Sequence, residues 1–216
     1  VGLSGIYNYR HDQDQLERSA PIQPELRAID AYNGREPLIE WVRRYGVTTL
    51  HTGHAPGELI SGQTMVVKTA GNTVEKATLR EQCALATTLA ASAQKGDKKS
   101  PGTRAKMVAM LRTHLIKAQE YVAKQQAAAK DEASEPPARD LSMETLAKVV
   151  AGDLPLMITA YRAQDMASAL RLAEEFELVI WLDGAAEAYL LIDELKAAQT
   201  PVILHPLMAR PIGDLE

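Results

Sequence analysis

Two short runs carry the residues best suited to chemistry: LPLMITAYR at 154–162 and LVIWLDG at 178–184. In each, an apolar stretch of strand type ends in polar or turn-forming residues. Thr159, Tyr161 and Arg162 close the first, and Asp183 and Gly184 close the second. Side chains alternate along a strand, so Thr159 and Tyr161 fall on one face and Arg162 follows at the rim. A guanidinium at that place can grip a carboxylate bidentately, and Asp183 can act as a base or as a partner for the arginine. Between the runs, Met166, Leu170, Ala173 and Phe176 recur at helical spacing. Strand, helix and strand in this order predict a parallel crossover unit, whose functional groups gather at the carboxyl ends of the strands.

The chain has five histidines: His11, His51, His54, His114 and His205. His51 and His54 follow a β-branched run at 47–50, in the loop HTGHAPGELISGQ, and His205 ends the apolar run 201–205. These three can form a mononuclear metal site at strand ends, or serve as hydrogen-bonding residues of a pocket; H-x-x-H on a loop demands neither. His11 lies in a polar turn and His114 within a long helix, and both read as surface or interface residues. Lys68 ends the β-rich run 64–69 and reads as a surface lysine rather than a carboxylated bridge between metals. Cys83, alone in the chain, excludes an internal disulfide and a thiolate metal cluster. The loop GHAPGELISG has neither the P-loop lysine spacing nor G-x-G-x-x-G, so it is not a phosphate cradle.

The strand ends at 159–162 and 183–184 resemble the imidazolonepropionase-like branch of the amidohydrolase superfamily. There the first strand ends in a His-Ala-His-Arg-like segment and the second in Asp-His-Gly, the histidines being metal ligands. Here Thr159, Tyr161 and Gly184 stand at those places. GVTTLHTGHAPGELISGQTMVVKT is similar to the family's second strand and glycine-rich loop, TRAKMVAMLRTHLIKAQEYVAK to a helical insertion of one subgroup, and PVILHP to the seventh strand.

The resemblance implies an α/β fold, a (β/α)8 TIM-type barrel of amidohydrolase type, incomplete here. Residues 1–216 would form part of one barrel domain, with a helical insertion over about 70–150. It implies a hydrolase of C–N bonds, amide or cyclic amide, with a divalent metal such as zinc expected for the family and its ligands substituted in this chain. The expected catalytic residues are Tyr161, Arg162 and Asp183. Thr159, Gly184, His51, His54 and His205 are expected to line the pocket, and no residue is assigned as a metal ligand. Two alternatives stand beside this reading: a catalytically inactive barrel that binds or assembles, and a metal-free enzyme working through Tyr161, Arg162 and Asp183. Relatives in this branch look exported, which implies an envelope compartment such as the periplasm.

Periodicity supplies the elements that must hold these residues. An extended segment over 1–35 runs into a short helix at 24–32, and a helix at 36–45 starts behind Pro37 and stops at Gly46. Strands are expected at 47–52, 64–69, 155–161, 178–183 and 201–205, with a sixth near 3–7. The Ala- and Leu-rich stretch 74–94 predicts a helix, 95–102 a solvated loop, 104–130 a long helix, and 185–199 another. Ser142 is the expected cap of a helix through Val150. By resemblance the chain starts after the first barrel strand and stops before the eighth. Open sheet edges are costly, so the remaining barrel residues are expected from another chain or a further segment, in an oligomer. A net charge of −4 gives no electrostatic footprint for nucleic acid, and no run approaches the ~20 apolar residues of a membrane span. A small-molecule ligand is an expected partner beside the chain or segment that completes the barrel.

Overall fold

The computed structural model describes residues 1–7, 9–96, 98–130 and 136–205. Six strands form one sheet in chain order: β1 (Thr49–Gly53), β2 (Ile60–Lys68), β3 (Thr78–Thr88), β4 (Leu156–Ala160), β5 (Ile180–Gly184) and β6 (Val202–Ile203). β2 is antiparallel to both of its neighbours, whereas β3 to β6 are parallel. β1 therefore runs the same way as β3 to β6, and β2 alone is inverted. The uniformly parallel order of a barrel fails at this strand. The six-residue loop 54–59 turns β1 straight back into β2, too short for the crossover that a parallel neighbour needs.

The described residues also form seven α-helices: α1 (Ala28–Ala31), α2 (Pro37–Arg44), α3 (Val74–Ala77), α4 (Arg104–Lys130), α5 (Leu141–Val150), α6 (Ala163–Phe176) and α7 (Ile192–Ala197). Leu156, Ile158 and Ala160 of β4, with Ile180 and Leu182 of β5, face one way along the pleat. They share a core with Met166, Ala169, Leu172 and Phe176 of α6, and with Met107, Leu111 and Leu115 of α4. The spacing on α4 keeps one stripe inward over 27 residues. A smaller core of Leu3, Ala28, Tyr32, Ile39, Met65 and Val67 seats the amino-terminal segment on β2.

Alternation leaves Met157, Thr159, Trp181 and Asp183 on the opposite face of β4 and β5. His51 of β1 meets Trp181 of β5 edge-on, with ring centroids 6.3 Å apart at 76°. The sheet therefore curls until the face of its first strand looks toward its fifth. Among the described residues the result is a half-barrel, one curled sheet of six strands. Among the described residues, no helix is long and apolar enough to cross a membrane.

The largest departure from the sequence reading lies at 74–94, where a helix of four residues leads into the strand β3. Residues 83–88 are all buried, because β3 lies inside the sheet between β2 and β4. With both faces covered, the strand shows no alternation, and its alanines and leucines match a helix equally well. Near 3–7 there is no strand; Ser4 makes an isolated bridge to Gln13. α5 is capped by Asp140, whose carboxylate accepts the Met143 N–H at 3.0 Å. Ser142 stands one residue inside the helix and donates to Glu25 instead. The helix expected at 185–199 divides into a short 3₁₀ turn at 188–190 and α7. The helix expected at 24–32 contracts to α1.

Candidate functional site

The carboxyl ends of β1, β3, β4, β5 and β6 share one edge of the half-barrel, and the loop 54–59 arches over that edge. Backbone bonds tie the parts together. Leu89 N–H donates to Thr159 O at 3.0 Å, Thr88 N–H to Leu59 O at 3.1 Å, and Ala185 N–H to Ala160 O at 2.9 Å. Gly57 N–H donates to Thr88 Oγ1 at 3.1 Å. Such a rigid rim is where a sheet of this kind presents its side chains.

Thr159 and Asp183 are register partners on β4 and β5. The Thr159 hydroxyl donates to Asp183 Oδ2 at 2.9 Å, and His205 Nε2 lies 2.7 Å from Asp183 Oδ1. Both carboxylate oxygens are thus engaged, which orients the group although Asp183 is only 9 % exposed. A carboxylate accepts, so Nε2 carries the hydrogen, and Nδ1 is left as the basic nitrogen of the imidazole. The His205 side chain is 63 % exposed, so this nitrogen is accessible.

His51 enters the same concavity from β1, with Nε2 2.7 Å from Thr64 Oγ1. Burial among protein atoms pushes its pKa down, and the Asp183 charge pulls the other way. The residue nonetheless keeps an exposed surface. His54 lies under the loop with its ring against Gly62. It is 7 % exposed, and neither ring nitrogen has a hydrogen-bond partner among the described residues. Burial lowers its pKa, outweighing the nearby Gln15 carbonyl.

Tyr161 and Gly184 form a pair. Gly184 adopts φ +83°, and a Cβ built there would stand 2.6 Å from Tyr161 Cε1 and 3.0 Å from Cδ1. The tyrosine ring therefore occupies the space into which any side chain at 184 would project. Tyr161 and Arg162 follow β4 directly, and Arg162 stands at the N-cap of α6. The Glu187 carboxylate accepts the Ala163 N–H at 2.7 Å, and Glu187 N–H donates to Tyr161 O at 3.0 Å, so the turns after β4 and β5 are locked together.

The donor set does not fit a divalent metal at the positions the resemblance singles out. A hydroxyl, a phenol and a glycine stand there, and the phenol ring fills the volume of the third. Among the described residues, no three His, Cys, Asp or Glu side chains come together as a metal site, so His51, His54 and His205 do not converge as one. Lys68 bonds Thr49 Oγ1 at the opposite end of β2, and His114 bonds Met110 O within α4. His11 is exposed and stacks on Tyr9. Cys83 is buried, which pushes its thiol pKa up and keeps it inert.

Two features of the rim escaped the sequence reading. Glu58 is fully buried in the loop and pairs with Lys95, and its Oε2 has no partner among the described residues. Glu187 is the second. Neither belongs to a motif, and only the fold brings them to the rim.

No protein-family model matches the chain, and no curated protein sequence matches it. Among solved structures it is similar to an amidohydrolase from Thermotoga maritima MSB8, with a TM-score of 0.93 and 27% sequence identity over 98% of this chain. The chain spans 56% of the length of that protein. Together, the half-barrel, its rim and this likeness support a place for the chain in the amidohydrolase superfamily.

Proposed function

We propose that the chain forms the substrate-binding side of an amidohydrolase-like hydrolase, within the imidazolonepropionase-like branch, that acts on amide or cyclic amide C–N bonds. The observation that carries this reading is the Asp183 carboxylate, fixed through both oxygens at the carboxyl ends of parallel strands. Tyr161, Arg162 and Asp183 form the edge that carries the chemistry, by direct contact or through a neighbour, and Thr159, Gly184, His51 and His205 line the concavity, with His54 supporting the loop above it. Among the described residues β1 and β6 are the outer strands of the sheet, and further units of one barrel domain join there, from the same polypeptide or from a second one.

The test is turnover by the purified protein of linear amides and of five- and six-membered cyclic amides, followed by release of amine or acid. Asp183→Asn is expected to lower kcat/KM by about 100-fold or more on any substrate that turns over. Retention of wild-type rates by that variant overturns the assignment of Asp183.

A second reading has its own observation. The Tyr161 ring packed on Gly184 seals the ligand position, as in a barrel retained for binding or assembly alone. Absence of turnover across the amide panel, with undiminished folding, favours this reading.

A further inference from the structure

Asp183 and His205 stand 22 positions apart in sequence and meet only because β5 and β6 are adjacent and parallel. Behind them Thr159 holds the second carboxylate oxygen, so hydroxyl, carboxylate and imidazole form one hydrogen-bonded chain that ends in an accessible ring. A carboxylate behind an imidazole fixes its tautomer and its orientation. We propose that His205, held by Asp183 and Thr159, is the proton-accepting base of this rim, and that hydrolysis here runs on imidazole rather than on a metal-bound hydroxide. The proposal rests on the hydrolase reading above and adds the base that reading leaves open.

The step balances with water as the only co-reactant. The oxygen of water bonds to the carbonyl carbon while one of its protons passes to His205 Nδ1. The tetrahedral intermediate then collapses, the C–N bond breaks, and the proton on Nδ1 moves to the departing nitrogen. Amide and water become carboxylic acid and amine, and the imidazole returns to its starting state. Asp183 and Thr159 are positioning residues: Asp183 touches the imidazole, Thr159 touches Asp183, and neither meets the reacting atoms. His51 stands on the facing part of the concavity, where Asp183 acts on it electrostatically.

Two measurements on the purified protein decide the matter. The first needs no substrate: acylation by diethyl pyrocarbonate, mapped to each histidine by mass spectrometry. His205 is expected to react several-fold faster than exposed His11, and to slow toward it in Asp183→Asn. The second is amide turnover, in which His205→Gln is expected to lower kcat about 100- to 10,000-fold. Its residual activity should lose the acid limb of the pH profile. Thr159→Val should lower kcat with little change in KM, and Thr159→Ser should restore it.

Turnover that survives His205→Gln overturns the proposal and leaves the hydrolase reading standing. Fast, Asp183-dependent acylation without turnover of any amide keeps the base and removes the hydrolase reading. If there is no turnover and His205 acylates no faster than His11, the proposal is overturned.

Discussion

The ring of Tyr161 lies where a side chain on residue 184 would be, and Gly184 in turn adopts a left-handed backbone that side chains resist. Each residue makes sense only beside the other. Gly184→Ala is therefore expected to cost about 2–3 kcal/mol, from ring contact and backbone strain together. In a Tyr161→Ala background the same change should cost only the backbone part, about 1 kcal/mol. Urea unfolding of the four proteins of this double-mutant cycle measures the coupling. Purely additive costs would show that the ring does not own that space.

The ion pair between buried Glu58 and partly exposed Lys95 pins the loop 54–59 to the segment after β3. Removing the cation alone leaves a fully buried carboxylate with no compensation, so Lys95→Met is expected to cost about 3 kcal/mol. Replacing both, as Glu58→Gln with Lys95→Met, should recover most of that loss. Equal destabilisation in the single and double variants, read from urea midpoints, would count against a charge-based penalty.

Acid should weaken the fold through His54. Burial lowers its pKa below the ordinary 6.5 in the folded chain. The unfolded chain therefore binds this proton at a higher pH, and stability drops as pH falls from about 6.5 toward the folded value. His51, lowered for the same leading reason, acts in the same sense. The urea midpoint should decline between about pH 7.5 and about pH 5.5, and should decline less in His54→Leu. Identical declines in the two proteins would remove His54 from the account.

Asp140 rather than Ser142 caps α5, so Asp140→Ala should cost about 1 kcal/mol through the lost bond to Met143 N–H. Ser142→Ala gives up a side-chain bond to Glu25 and leaves the cap in place. Thermal unfolding of both variants checks whether Asp140→Ala retains this added loss of the cap.

The unit from β4 through α6 to β5 was legible because each apolar run ends in polar or turn-forming residues and helical spacing operates between the two. α4 was legible for the same reason: its buried stripe runs Met107, Leu111, Leu115 and Ala118. β3 was not, since a strand buried on both faces loses its period of two. The cap at Asp140 was missed because serine and aspartate serve equally well as caps, and only the entry of the chain decides between them. Thr159, Asp183 and His205 were each legible as strand-end residues. Their union in one hydrogen-bonded chain depends on the register of β4, β5 and β6, which no local pattern encodes. The interlock of Tyr161 with Gly184 likewise appears only once φ and ring position are known.

The inversion of β2 also divides the chain by the distance its contacts must travel. β1, β2 and β3 pair through short returns, whereas β3 reaches β4 only across residues 89–155. Ordering that long stretch costs chain entropy before the parallel pairing gives anything back. The molecule should therefore assemble in two stages, with the hairpin side protected from amide exchange first and β4 to β6 later. The Asp183–His205 contact belongs to the late stage, so the proposed base is completed only when the last strand docks.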